Sequence, residues 1–334
     1  MKIAFTGDLV LQELNKDPNF IFGRIVDFMS LNNIKLCINL ESPFIQEEMT
    51  PVKNKITLYS EAGSVRYIEY LNPFLINLSN NHINDYGDIS GRLTCEILES
   101  KSLTHFGIGY PEEEKNLFID KKLKNIQISF TTRSSDLTGG PLFSGDNFIG
   151  PYPPDLSLIS NLKNKYTDYS IIVSVHWGIE DITYPEPNKR SLAYDIIDAG
   201  ADLIIGHHPH IIQPIEIYKG KTIFYSLGNF YFSDIHYFEK GKVKYKKSKR
   251  HQKTGLIPII DITEGIVSID TLMKVRILNN GQLKISKNLV RKFIISNSSV
   301  YKKIHVYYLK YFEIRRIFLF ILKNPDRLLK KIIK

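Results

Sequence analysis

Ser170-Ile171-Ile172-Val173-Ser174-Val175-His176-Trp177-Gly178-Ile179-Glu180 is a short apolar, β-branched run that stops on an imidazole, a glycine and a carboxylate. Such a run reads as a buried strand over Ser170–His176, with the polar residues in the turn beyond its carboxyl end. The same order recurs along the chain. Strands expected over Ile3–Thr6, Lys35–Asn39, Phe74–Asn77 and Leu203–Gly206 lead into Gly7-Asp8, Asn39-Leu40-Glu41, Leu78-Ser79-Asn80-Asn81-His82-Ile83-Asn84-Asp85-Tyr86-Gly87 and Gly206-His207-His208-Pro209-His210. Leu103–Phe106, Ile126–Thr131 and Thr222–Ser226 read as further strands. Asp88–Ser100, with Ile89, Leu93 and Ile97 at four-residue steps, and Asn188–Ala199, ending at Gly200, read as helices. Strands alternating with helices imply an α/β core, and open sheets of that class carry their ligand sites at the strand ends.

From Gly255 onward the pattern changes to antiparallel strands, expected over Ile257–Ile262, Val267–Leu278 and Leu283–Val290, with Asn279-Asn280-Gly281 as a turn. Lys240–Lys253 carries eight Lys and Arg and reads as a mobile loop, too charged to bury. Residues 299–322 read as a basic, aromatic-rich helix that breaks before Pro325. The expected organisation is one domain over 1–292 and a basic helical tail over 293–334.

The chain has 334 residues, 43% of them hydrophobic and 24% charged, which describes a globular chain with room for a large core. Its net charge of +9 is concentrated. Residues 301–334 hold ten Lys and Arg against two acids, so the body is close to neutral. This is not the profile of a nucleic-acid binder, and no nucleic-acid partner is expected. Tyr307, Tyr308, Tyr311, Phe312, Phe318 and Phe320 are interleaved with Lys302, Lys303, Lys310, Arg315 and Arg316. Two readings stay open for 299–334: an amphipathic helix docked on an anionic membrane or on a capsule machinery, or a helix packed on the domain with a basic outer face. Two cysteines, Cys37 and Cys95, both in element-like contexts, exclude a disulfide scaffold. The first residues lack the apolar stretch of a secretory signal, and the longest apolar run, Ile317–Leu322, is too short to span a bilayer. The expected location is cytoplasmic, or peripheral at the inner face of the membrane.

Taken singly, Asp8 and Glu41 read equally well as turn or capping residues, and His82 and His176 as hydrogen-bonded turn or strand-end residues. Three imidazoles in four positions around Pro209 have no packing rationale. Carboxylate, amide and imidazole donors converging from several strand ends suit divalent Mn, Fe or Zn, one or two per chain. Two ions sharing an acid would polarise a phosphoryl oxygen and activate a water, so phosphoester hydrolysis is the chemistry such a set supports.

Gly7-Asp8, Asn39-Leu40-Glu41, Asn80-Asn81-His82 with Asp85-Tyr86-Gly87, His176-Trp177-Gly178 with Glu180, and His207-His208-Pro209-His210 through Gln213 occur in an order that resembles the CapA family. Ile217-Tyr218-Lys219-Gly220 and Phe224-Tyr225-Ser226-Leu227-Gly228-Asn229-Phe230 extend the likeness, which covers residues 2 to about 235. That family comprises bacterial capsule synthesis and poly-γ-glutamate biosynthesis proteins and is related to calcineurin-like metallophosphatases. The resemblance implies a four-layer α/β-β/α sandwich. It implies Asp8, Glu41, Asn81, His176, His208 and His210 as metal ligands, Glu41 bridging. His82 would be the proton donor to the leaving group, with Asp85 orienting it, and Glu180 an outer residue or proton carrier. His207 falls outside the two-histidine spacing that His208 and His210 match. The chain departs from the metallophosphatase pattern at Val10, where Asp-x-His would place an imidazole, and at Leu11-Gln12, where the family usually has Gly-Arg. The implied function is metal-dependent hydrolysis, of phosphoester-type bonds, in capsule or other cell-surface polymer biosynthesis, with an acidic polymer or a phosphorylated substrate as partner. The alternative is a non-catalytic assembly or transport component of a poly-γ-glutamate or polysaccharide capsule machinery.

Overall fold

In the computed structural model, the first third of the chain alternates β1 (Lys2–Val10), α1 (Pro18–Leu31), β2 (Ile34–Leu40), α2 (Val65–Leu71), β3 (Leu75–Asn77), α3 (Asp88–Ser100) and β4 (His105–Phe106). There follow β5 (Leu117–Asp120), β6 (Asn125–Thr131), α4 (Leu156–Lys165), β7 (Ser170–His176), α5 (Pro187–Asp198), β8 (Leu203–His207), β9 (Ile215–Tyr218) and β10 (Lys221–Phe224). The chain then returns through β11 (Asn229–Phe232), the hairpin β12 (Ile235–Glu239) and β13 (Lys242–Lys246), and the strands β14 (Thr254–Thr263), β15 (Ile266–Ile277) and β16 (Leu283–Lys287). The structure describes residues 1–53, 55–113, 115–132, 148–232, 234–239 and 242–287. The boundary expected at 292/293, the helix expected over 299–322 and the end of the strand expected to reach Val290 lie outside the described residues.

One sheet has the order β16-β15-β14-β1-β2-β3-β4, with β11 joining β1 beyond this path; the other has the order β9-β10-β8-β7-β6-β5. The centre of each is parallel: β1 with β2 and β2 with β3, then β6 with β7 and β7 with β8. Parallel strands need both faces covered, and their near-continuous apolar runs supply both faces. Ile3, Phe5, Cys37 and Leu75 of the first sheet meet Ile172, Leu203, Ile205 and Phe224 of the second in one buried layer. Outside the first sheet, Ile21, Phe22 and Ile25 of α1 and Tyr67 and Ile68 of α2 pack on Ala4, Leu36 and Ile38. Outside the second, Ile159 of α4 and Ala193, Ile196 and Ile197 of α5 pack on Ile128, Ile171 and Val173. The layers therefore run α/β-β/α, as the resemblance implied.

The helices begin where their sequence permits. The Asp17 carboxylate accepts from the backbone N–H groups of Asn19 and Phe20, with Pro18 in the first turn of α1, and Asp155 caps α4 through the Leu158 N–H. Strand β7 has the expected bounds, as does α3, which follows Gly87 in the left-handed region. The sequence reading is corrected at Lys240–Lys253. That stretch is not a loop: it contains β13, paired antiparallel with β12, and a 3-10 turn at Arg250–Lys253. Lys242, Val243, Lys244 and Tyr245 are all exposed, so the charge points to solvent as expected while the backbone is extended and paired.

Gly7 positions the site. The register of β1 breaks between Phe5 and Asp8, and a Cβ at Gly7 would stand 1.9 Å from the Gly228 carbonyl oxygen. Only glycine lets β11 close on β1 there, and the irregularity re-aims Asp8 toward the strand ends.

Glu216 of β9 takes two hydrogen bonds from Arg190 of α5, at 2.9 and 2.5 Å, and one each from Tyr194 and Tyr225. Burial alone would raise the Glu216 carboxyl, but these partners outweigh it and hold it below the usual range. Its contribution to stability is therefore present above the ordinary carboxylate pKa and lost as pH falls through the lower, folded-state value. Glu216→Gln leaves the Arg190 charge buried beside a neutral amide and is expected to destabilise the fold by about 3 kcal/mol. Urea unfolding at neutral pH measures it; an unchanged midpoint would mean the pair contributes nothing.

Candidate metal centre

Five strand ends converge on one buried spot. Asp8 lies near the end of β1, Glu41 follows β2, Asn81 follows β3, His176 ends β7, and His208 and His210 follow β8. All six residues are 3% exposed or less. Glu41, His176 and His208 form one group and Asp8, Glu41 and His210 a second, the donor atoms of each group lying within 4.8 Å of one another. Glu41 belongs to both. The structure thus brings together every residue expected as a ligand, with the Asn81 Oδ1 2.8 Å from His176 Nε2.

The electrostatics of this spot follow from burying two carboxylates side by side. Both Glu41 carboxylate oxygens are buried with no hydrogen-bond partner among the described residues. The nearest imidazole nitrogens, His210 Nε2 and His176 Nε2, stand 3.5 and 3.6 Å from Glu41 Oε1. Burial, with Asp8, Glu180 and Asp85 nearby, pushes the Glu41 carboxyl well above its usual value despite the pull of His210. Asp8 goes the other way: burial would raise it, but hydrogen bonds from His207 and His210 hold it well below. Burial would likewise depress the His210 imidazolium, yet Glu41, Asp8 and Glu180 hold it at about 10. His176 is driven well down by burial and by His208, whose ring centroid is 4.9 Å away. A buried carboxylate with both oxygens unpartnered, framed by imidazoles, fits a divalent ion.

Two features hold the donors in place. His208 and His210 sit at φ 93° and 57°, backbone that side-chain-bearing residues rarely adopt. Beneath them runs a buried polar ladder. The Asn39 amide donates to Asp8 Oδ1 at 2.8 Å, Asn77 donates to Asn39 Oδ1 at 2.9 Å, and the Ser129 hydroxyl of the other sheet donates to Asn77 Oδ1 at 2.7 Å. Such outer partners orient a ligand carboxylate.

His82 and Asp85 form a pair, Nδ1 to Oδ2, at 2.6 Å, and both are 1% exposed or less. Burial lowers the His82 pKa while Asp85 opposes the shift. The sequence reading missed Lys55, whose ammonium lies 2.6 Å from Asp85 Oδ1 and also donates to the Asn81 carbonyl. Its position in an irregular loop gave no signal. Nor do Asn39 and Asn77 stand out inside strand runs, and Asn229, which lies 3.0 Å from His210 Nδ1, shows in the sequence only as part of a matching stretch. Glu180 sits at the rim, 3.9 Å from His210 Nε2 and 3.3 Å from the Lys246 ammonium. His207, outside the expected ligand set, places its Nδ1 3.2 Å from Asp8 Oδ1. Val10, where a metallophosphatase would place a histidine, is fully buried against Leu58, Phe232 and Ile235.

Residues 2–234, which carry all of these donors, match the model of the bacterial capsule synthesis protein family PGA_cap. The chain belongs to this family. The PGA biosynthesis protein CapA of Bacillus subtilis (strain 168) is 35% identical over 244 residues, a match covering 70% of this chain and 63% of that protein. The capsule biosynthesis protein CapA of Bacillus anthracis is 26% identical over 281 residues, covering 79% of this chain and 68% of that one. The match thus spans less than two thirds of the Bacillus subtilis protein. Among solved structures, that of TT1561 from Thermus thermophilus aligns with 74% of this chain and 98% of its own at a TM-score of 0.39 and 10% identity. Membership of the capsule synthesis family accords with the order of the motifs along the chain. Among the described residues, no helix is long and apolar enough to cross a membrane.

Proposed function

We propose that the chain is a metal-dependent hydrolase of phosphoester-type bonds in capsule or related surface-polymer biosynthesis, with Asp8, Glu41, Asn81, His176, His208 and His210 as the ligands of one or two Mn, Fe or Zn ions. One observation carries the reading: two buried three-donor groups share Glu41, whose oxygens have no hydrogen-bond partner among the described residues. When bound, the ions would polarise a phosphoryl oxygen and lower the pKa of an attacking water. The chain's own residues supply the rest. Asp85 accepts from His82 Nδ1 and so fixes the ring; to act as the acid, His82 must carry a proton on Nε2 as well, and as that imidazolium, paired with Asp85, it would hand the Nε2 proton to the departing oxygen. Lys55 pairs with Asp85 and braces the Asn81 backbone. Glu180 holds Lys246 at the rim, where the substrate enters.

The test is metal content by elemental analysis, paired with hydrolysis of phosphomonoester and phosphodiester panels by wild type, Asp8→Ala and His208→Ala. Bound metal with activity that both substitutions abolish is the expected result. The buried Val10 favours a second reading, because it leaves the Asp8 side one imidazole short of a metallophosphatase set. On that reading the centre binds but does not cleave, as in an assembly component. Metal without hydrolysis of any panel member would select it.

Metal uptake has a pH signature. The His210 imidazole is protonated below about 10 in the metal-free site and must release that proton to become a ligand. Affinity is therefore expected to rise with pH, about tenfold per unit for each proton released, with His210 and the raised Glu41 carboxyl as the proton sources. Titration calorimetry in buffers of different ionisation enthalpy reads this directly. A pH-independent affinity would remove His210 from the ligand set.

A further inference from the structure

Asn229 opens β11 and stands opposite Asp8 in the parallel pairing of β11 with β1. Two glycines admit its backbone: Gly7 on the β1 side, and on the β14 side Gly255, where a Cβ would stand 2.2 Å from the Asn229 carbonyl oxygen. The side chain is 1% exposed, so both ends of its amide must find partners inside the protein. One end donates through Nδ2 to the Gln252 carbonyl oxygen at 2.8 Å, and the other, Oδ1, lies 3.0 Å from His210 Nδ1. That carbonyl is itself held. Gln252 lies in the 3-10 turn Arg250–Lys253, its side-chain oxygen accepting from the Lys249 N–H at 3.0 Å and its amide donating to Asp181 at 2.9 Å.

A carbonyl oxygen only accepts, so the NH2 end of the Asn229 amide must face Gln252 and the oxygen must face His210. The amide has one orientation. An oxygen facing Nδ1 calls for a hydrogen on that nitrogen, and Asp8 Oδ2, 3.2 Å from it, is a second acceptor on the same side. The neighbours of Nε2 are Glu41 Oε1 at 3.5 Å and Glu180 Oε1 at 3.9 Å, both beyond a good hydrogen bond. A neutral imidazole carries one N–H, so that hydrogen belongs on Nδ1 and the lone pair on Nε2. Phe232 lies edge-on to the ring, centroids 4.9 Å apart, and packs it in this pose.

We propose that Asn229 is a positioning residue of the metal centre: it holds His210 in the tautomer with hydrogen on Nδ1, so that Nε2 is the atom offered to an ion. The proposal rests on the metal-binding reading above and adds to it the ligand atom and the residue that selects it. A partner hydrogen-bonded to the far nitrogen fixes the ring of a ligating histidine and makes its near nitrogen a stronger donor. The competing arrangement is an ion on Nδ1 with Asn229 as a further ligand. It would strip the hydrogen from the nitrogen that two acceptors face closely and leave it on the one whose neighbours are too distant to use it.

The experiment uses the full chain with isotope-labelled histidine nitrogens, loaded with a spin-active isotope of cadmium in place of zinc. NMR then reads which ring nitrogen of His210 carries hydrogen and which is coupled to the metal, the His210 signals being those missing from His210→Gln. Wild type is expected to show hydrogen on Nδ1 and coupling through Nε2. Asn229→Ala should lose the single tautomer and weaken cadmium binding about tenfold. Asn229→Asp keeps an acceptor toward Nδ1 and should retain coupling through Nε2, although its second oxygen, now facing the Gln252 carbonyl, lowers stability. A merely structural asparagine would leave the tautomer unchanged in every variant. Coupling through Nδ1 in wild type, or an Asn229→Ala protein with the wild-type tautomer and affinity, would overturn the proposal. Cadmium held by the other donors with His210 uncoupled would overturn it alone and leave the metal site standing, whereas a wild type that takes up no cadmium would remove both.

Discussion

Glu41→Gln is expected to empty both donor groups at once. The substitution keeps the size of the side chain and removes the one carboxylate that the two groups share. Loss of a residue that merely orients a ligand costs roughly 10- to 100-fold in metal affinity, so loss of the shared ligand should exceed about 100-fold. Elemental analysis of the purified variant should find it close to metal-free. The fold should not suffer in proportion, because a buried carboxylate with neither oxygen hydrogen-bonded is a cost in the metal-free protein. Metal-free wild type and Glu41→Gln should therefore unfold at similar urea concentrations, while added metal should protect only wild type. Asp8→Asn touches one group, so it should lower the number of ions bound before it lowers the affinity of the remainder. Wild-type metal content in Glu41→Gln would refute the shared-ligand arrangement.

His82→Ala should do the opposite, sparing metal and losing turnover. A positioned proton donor is worth about 10²- to 10⁴-fold, and most where the leaving oxygen is a poor one. Activity on alkyl phosphoesters should fall by that factor, and activity on a nitrophenyl ester, which departs without help, should fall far less. Asp85→Asn should give a smaller loss with the same preference, since it leaves the imidazole present but less firmly held. Equal losses on both esters, or metal lost together with activity, would reduce His82 to a structural residue.

The strand ends are legible because parallel strands buried on both faces leave long Ile and Val runs, and the polar residue that stops each run is conspicuous. Ser170–His176 and Asp88–Ser100 can be read residue for residue for this reason, each being bounded by a sharp change of chemistry or by glycine. The candidate ligands are legible from the same places, although their grouping around Glu41 requires the sheets to be stacked. What lies hidden are contacts between distant elements. Asn39 and Asn77 look like ordinary polar residues within strands until Ser129 of the facing sheet closes their ladder. Lys55 has no periodic neighbour to betray it. The β13 strand reads as a loop because lysine suggests solvent, yet Lys242-Val243-Lys244-Tyr245-Lys246 alternates with the period of a strand. Charge prevails over period in that reading, and period is the better guide.

The left-handed backbone at His208 and His210 bears on any attempt to engineer this protein. Glycine at either position would relax the turn, so a library ranked by heat resistance alone would enrich glycine where the imidazoles stand. The winners would be sturdier and empty. Conversely, a homologue with histidine retained at both places, against that steady pull, would be one in which the imidazoles are used, as the proposed metal site requires.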